Sequence, residues 1–246
     1  MLKNSLYLLL FLTNLSSFGQ EERERIPRID FHYQFQIPGG DMKERFGSNS
    51  NIGGSFHLKN KHNVFYELSG GFIFGKNVKD LSLVDGISTP EGVIFDVDGR
   101  SATLALFERG FQIGLGVGYV SPILAKNEHS GIYGKVGAVF LQHKIRLEHQ
   151  NHDIPSLDKE YSKGYDMLSN GIGLEEEIGY YYTDPKNLVN FRIAINYVHA
   201  TTAGRRSYNF NDKKADNSTR KDNLLGFKVS FAIPLTGRKA DNYYLY

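Results

Sequence analysis

The chain has no cysteine and no tryptophan, and only 7 of its 246 residues are proline. Without cysteine there is no disulfide framework, no thiol nucleophile, no cysteine metal site and no lipidated N-terminal cysteine. An excess of one charge is missing as well. Lys+Arg number 29 against 27 Asp+Glu, a near balance that argues against a general nucleic-acid binder. No stretch offers 18 consecutive apolar residues, so no helix is expected to span a membrane. No glycine motif of the phosphate-cradling kind occurs. What is abundant is glycine itself, at 26 residues, with 15 Tyr and 17 Phe, a mixture that suits a β-rich fold better than a helical enzyme.

The first residues read as an export signal. Lys3 is followed by the apolar run Leu6 to Leu12 and then by Ser17-Phe18-Gly19, where a signal peptidase reads small residues. The expected organisation is a signal peptide over 1–19, a β-barrel over 20–235 and a polar periplasmic tail over 236–246. The mean hydropathy of −0.38 would suit a soluble protein. A membrane barrel evades that measure because only alternate residues face lipid.

Period therefore decides, and eight segments alternate with a period of two. In the first, Ile29, Phe31, Tyr33, Phe35 and Ile37 oppose Arg28, Asp30, His32, Gln34 and Gln36. In the last, Leu225, Phe227, Val229, Phe231 and Ile233 oppose Gly226, Lys228, Ser230 and Ala232. Between them lie segments around Ile52–Leu58, 64–74, 111–119, 132–140, 168–180 and 189–197. The fifth carries an expected bulge near Leu141, since Ile145 and Leu147 fall on the opposite parity to Ile132, Val136 and Phe140. A soluble sandwich alternates too. Here, however, the polar face holds little but Gly, Ser, Asn, Gln and charges. The apolar face carries Tyr33, Phe74, Tyr119, Tyr180, Tyr182 and Tyr197, read as girdle residues near strand ends.

The links alternate in length. Those after the second, fourth and sixth segments are short, and those over 76–101, about 148–166 and 201–222 are long, which is the outer-membrane pattern of periplasmic turns and outer loops. The fold class expected is all-β, an antiparallel up-and-down transmembrane β-barrel of eight strands, in the bacterial outer membrane with both termini periplasmic. The long link over 76–101 holds enough apolar residues (Leu81, Leu83, Val84, Ile87) to fold into a short helix or hairpin.

These features resemble the small outer-membrane barrels of the OmpA, OmpX and OmpW kind. The junction Ser16-Ser17-Phe18-Gly19-Gln20 and the runs Arg45 to Asn49, Leu106 to Phe111 and Leu141 to Arg146 are similar to an uncharacterised barrel family of the Bacteroidota. One departure stands out. Such barrels often end on an aromatic that the assembly machinery reads, whereas here the last strand is expected to end at Leu235, before a tail finishing Tyr243-Tyr244-Leu245-Tyr246. Either the signal is internal, at 226–231, or the tail itself is read.

Eight strands leave an interior that side chains fill. The inward set comprises Asp30, His32, His57, Glu67, Lys135, Glu175, Glu177, Arg192 and Lys228, of both signs, expected to form a mutually neutralising plug. Glu176 falls on the lipid parity, where a carboxylate is expensive and by default functional. A bulge turning it inward, a place near the periplasmic rim, and a contact with a partner all remain open, and a partner site would also draw in Tyr243, Tyr244 and Tyr246. At the outer end of the seventh segment, Tyr197 to Gly204 faintly resembles the His-x-Ser-Asn run of lipid A deacylases. That likeness would make His199 a general base and Thr201 the nucleophile. His143, His149 and His152 with Asp153 have irregular spacing for a metal, and none is expected, nor any cofactor. The last long link carries Arg205, Arg206, Lys213, Lys214, Arg220 and Lys221, which could face phosphorylated lipopolysaccharide.

The leading function is non-enzymatic: a structural or protein-interaction barrel, with an accessory subunit of an envelope secretion or assembly machine as one form of it. Its partners would be outer-membrane lipid, lipopolysaccharide and a membrane or periplasmic protein. The alternatives are a lipid A-modifying hydrolase around His199 and a narrow OmpW-like channel for small or apolar solutes.

Overall fold

A segment whose odd residues are apolar and whose even residues are polar must separate two environments, and a set of them with no apolar partner sheet can do so by closing on itself. The computed structural model describes residues 26–125, 130–149, 153–158, 160–184, 190–210 and 213–235. In it the eight alternating segments become β1 (Ile26–Gly40), β2 (Asn49–Lys59), β3 (Val64–Gly75), β6 (Leu104–Ser121), β7 (Gly131–His149), β8 (Ser169–Thr183), β9 (Asn190–Gly204) and β10 (Thr219–Pro234). They form one closed antiparallel barrel in the order β1-β10-β9-β8-β7-β6-β3-β2. The link between β3 and β6 folds on itself as a 3-10 turn at Ser82–Ile87 and a small hairpin of β4 (Ile94–Phe95) and β5 (Ser101–Ala102). The chain is an eight-stranded up-and-down transmembrane β-barrel.

Every ladder runs without interruption. The longest, between β6 and β7, pairs Leu104 with His149 at one end and Ser121 with Ile132 at the other in a single register. This corrects the expected bulge at Leu141. β7 keeps its phase, and Leu141, His143 and Ile145 point inward, all fully buried. The apparent slip arises because the interior itself changes from polar to apolar along the strand. Two of the residues read as girdle also sit elsewhere. Tyr33 pairs with Val229 and Ile52, and Tyr197 with Glu176 and Leu225, both well inside their strands.

The two ends of the barrel differ. At the turn end, β2 and β3 are joined by four residues. Asn60 accepts hydrogen bonds on its side-chain oxygen from the amides of His62 (2.9 Å) and Val64 (3.0 Å). Asn63 takes the left-handed conformation (φ 61°) that asparagine tolerates. At the loop end the links fold inward as a cap. Gly40 turns β1 over the mouth at φ +58°, where a Cβ would lie 2.1 Å from the carbonyl oxygen of Lys221. The short helix α1 (Met42–Arg45) follows. Met42 and Phe46 are then fully buried with Leu83, Ile94, Ile154 and Leu157 of the longer links, against the inward side chains Ile73, Leu141, Ile145, Val198 and Leu224. Outside, the wall from Ile29 and Phe31 on β1 round to Phe227 and Phe231 on β10 is exposed and apolar, as a lipid-facing surface requires.

Candidate functional site

The even-numbered side chains of β1 and β10 and the odd-numbered ones of β2, β3, β7, β8 meet inside, so pairing across the lumen follows from parity. Half-way along, Arg192 on β9 bridges Asp30 on β1 and Glu67 on β3. Lys135 on β7 reaches Glu67 at 2.7 Å, Glu175 at 3.1 Å and Glu177 at 3.3 Å. Lys228 on β10 closes the ring on Glu177 at 3.0 Å. The Tyr133 hydroxyl also donates to Glu177, and the Asn196 amide donates to Glu175 at 3.0 Å. With Arg28, which donates to Tyr181 and to Thr183 Oγ1, the layer sets Arg28, Lys135, Arg192 and Lys228 against Asp30, Glu67, Glu175 and Glu177. Those eight charges are four of each sign, which favours burying them together, and a further cation, Lys59, is buried beside them over the Tyr181 ring.

Of the sequence-derived interior residues, His32 lies in the polar belt above this layer and pairs with Asn51 at 3.3 Å. His57 lies below it, stacked between Phe65 and Tyr181 at centroid distances of 4.5 and 5.5 Å. All nine are buried inside the barrel. The belt of His32, Gln34, Asn51 and Gln112 encloses a cavity of about 20 Å³, on the order of one water probe. The interior is filled rather than bored.

A second buried cluster was not singled out in the sequence. Near the loop end, Asp222 of β10 accepts from Thr202 Oγ1 at 2.6 Å, pairs with His143 Nε2 at 2.8 Å and with Arg45 of α1 at 3.3 Å. Glu108 of β6, on the other side of the barrel from β10, accepts twice from the Asn49 amide at 3.0 Å. Parity would have found both. Asp222 is in phase with Lys228, and Glu108 with Gln112, but reading residues 201–222 as loop and starting the fourth segment at 111 ended the count too early.

Glu176 is on the outer wall. Continuous ladders pair it with Val136 and Tyr197, so no bulge turns it inward, and its side chain is exposed. Nor is it at a rim: on the outward face of β8 it has Leu174 and Ile172 to one side and Ile178 and Tyr180 to the other. Two of the three readings of this residue therefore fall. Among the described residues nothing hydrogen-bonds to it or forms an ion pair with it.

His199 and Thr201 also face outward, both exposed. His199 Nδ1 pairs with Asn223 Oδ1 at 2.8 Å, and no carboxylate among the described residues contacts the ring. His143 lies within β7 as the buried partner of Asp222, and His152 lies outside the described residues. Among those described, no group of His, Asp and Glu side chains is arranged to hold a metal.

The basic set of the last link divides. Arg206 donates Nε to Asp166 at 2.7 Å, a bond that raises its pKa above the usual guanidinium value. Arg220 turns inward to Asp216 and to Ser169 Oγ at 3.2 Å. Arg205 donates to Asn170 at 2.6 Å. Lys213, Lys214 and Lys221 are exposed. The segment 1–19 and the tail with Tyr243, Tyr244 and Tyr246 lie outside the described residues.

The hydroxyls that meet carboxylates among the described residues, Thr202 on Asp222 and Tyr133 on Glu177, are buried within the packed interior. In the two buried clusters each carboxylate accepts a hydrogen bond or forms an ion pair, whereas Glu176, facing lipid, has no such partner among the described residues.

No family model matches the chain, and no curated protein does. Solved structures do, at the level of shape. Ail, the attachment invasion locus protein of Yersinia pestis, aligns with 86% of this chain and 100% of its own at 11% identity and a TM-score of 0.41. The outer membrane protein OprG from Pseudomonas aeruginosa aligns over 85% and 96% at 12% identity and a TM-score of 0.41. Neisserial surface protein A aligns over 84% and 96% at 10% identity, again with a TM-score of 0.41.

Proposed function

We propose that this chain is a non-enzymatic barrel of the bacterial outer membrane that works by holding another protein, as an accessory subunit of an envelope secretion or assembly machine would. The cap faces outward and both termini face the periplasm. The observation that carries this reading is the contrast between carboxylates: every one in the two buried clusters is paired internally, while Glu176 in the lipid-facing wall is not. A channel would need an open lumen, and a hydrolase would need His199 beside an acid. The similarity of its sequence runs to a Bacteroidota barrel family belongs to the same reading.

The test is the size of the particle. Extracted in mild detergent from its own cells, the barrel should elute with a second polypeptide in fixed ratio and show no conductance in a planar bilayer. A monodisperse lone barrel under every mild condition, or steady single-channel steps, would overturn the proposal.

A further inference from the structure

The outer wall around Glu176 is not smooth. Across β6, β7, β8 and β9 the ladders set Val117, Val136, Glu176 and Tyr197 in one outward row. The next row toward the turn end is Tyr119, Gly134, Ile178 and Ile195. Gly134 leaves that row without a side chain between Tyr119 and Ile178, and a Cβ built there meets nothing within 4 Å. The result is a groove of about 630 Å³, apolar apart from Glu176 beside it. Tyr119 and Ile178 stand two strand spacings apart, about 10 Å, which admits one long side chain between them.

Charge decides what fits. An isolated carboxylate on an apolar, lipid-facing wall is costly, and a cation or a proton relieves it. The described strands of a second copy do not supply that cation. Arg109, Lys144, Arg146 and Lys221, the cations on the outward face of the described strands, all sit toward the loop end, and the rest of that face at the level of Glu176 is apolar. A lipid chain could fill the notch but would leave the carboxylate unpaired.

We infer that the notch at Gly134 receives a lysine or arginine side chain from a membrane-embedded segment of a different protein, whose ammonium or guanidinium pairs with Glu176. This inference rests on the protein-binding function proposed above and adds the face and the chemistry of the partner.

The test uses the full chain in its own outer membrane with the photo-cross-linker benzoylphenylalanine at Ile178, and at Phe56 on the opposite wall as control. Cross-linking at Ile178 should capture a peptide from a membrane-spanning segment that contains Lys or Arg. The yield should fall about tenfold in Glu176→Gln, as for the loss of one such polar contact in a bilayer, and be largely kept in Glu176→Asp. Gly134→Leu, whose Cβ meets nothing within 4 Å, fills the notch and should abolish capture while leaving Glu176 in place. The heat-dependent gel shift of each variant verifies that the barrel has closed.

A captured second copy, capture of lipid alone, a captured segment with no cation, or a yield indifferent to Glu176→Gln would overturn the inference. A complex that cross-links from the cap but not from Ile178 would also sink it, with the protein-binding function intact. Absence of any complex would remove both.

Discussion

Half-way along the barrel the interior is held by Arg192, Lys135 and Lys228 against Asp30, Glu67, Glu175 and Glu177. At the loop end the same lumen is held by Ile73, Leu141, Ile145, Val198 and Leu224 under Met42, Phe46 and Leu83. The first region is built from strands alone and closes with them. The second is unfinished by the strands and needs the links to cover it. Ionic packing is unforgiving, because removing one member leaves another charge buried and unpaired. Apolar packing is graded, since a lost methyl group costs its own burial plus a cavity. The two regions should therefore respond differently to the same kind of insult.

The largest effect should come from Glu67, which is 1% exposed and touches Arg192 and Lys135. Glu67→Gln keeps the shape and leaves the buried layer with one uncompensated positive charge, and should lower the unfolding free energy by about 3–5 kcal/mol, read from urea titration of the folded gel band. Pairing it with Lys135→Met should restore a good part of that loss. If the double variant is no better than the single one, the layer is not a mutual plug. Next comes Leu141→Ala, expected to cost about 2–4 kcal/mol. It should show first as protease cleavage within the cap, at concentrations of urea where the barrel band is still intact. Simultaneous loss of cap and barrel would mean that the two regions are one cooperative unit.

The contrast also explains which parts could be read in the sequence. Period two located all eight strands and put Asp30, Glu67, Lys135, Glu177, Arg192 and Lys228 on one side, because alternation is a local property and closure needs only that. It failed where local pattern and environment part company. Leu141 and Ile145 are apolar and inward, so the polarity rule assigned a phase slip to β7 where the register is continuous. The cluster of Asp222, His143, Thr202 and Arg45 draws on three strands and α1, and nothing local connects those residues. Glu176 was legible as an anomaly from parity alone. The notch beside it was not, since Gly134 matters only once Tyr119 and Ile178 are known to flank it across the ladders.

The smallest effect tests how the last link is tied to the cap. Asp216 accepts from Ser218 Oγ at 2.7 Å and pairs with Arg220. Against the opposing effect of burial, hydrogen bonds from Ser218 and Arg220 hold its carboxyl below the ordinary value of 3.8. A group with a depressed folded pKa contributes stability that is fully present above the unfolded value and is lost as pH falls through the folded one. The tether should therefore hold at pH 4.5 and loosen toward pH 2.5, by no more than about 1 kcal/mol for a pair this near the surface. Pepsin nicking at Tyr208 or Phe210, scaled to an unfolded reference substrate, measures it. Nicking should rise at the lower pH in the native chain, whereas Asp216→Asn should be nicked alike at both. The barrel band should stay intact throughout, since the central ion pairs are enclosed by strands and the tether is not. A pH-independent native link would show that Arg220 is held by Ser169 alone, and the cap would then owe its closure to its apolar side chains.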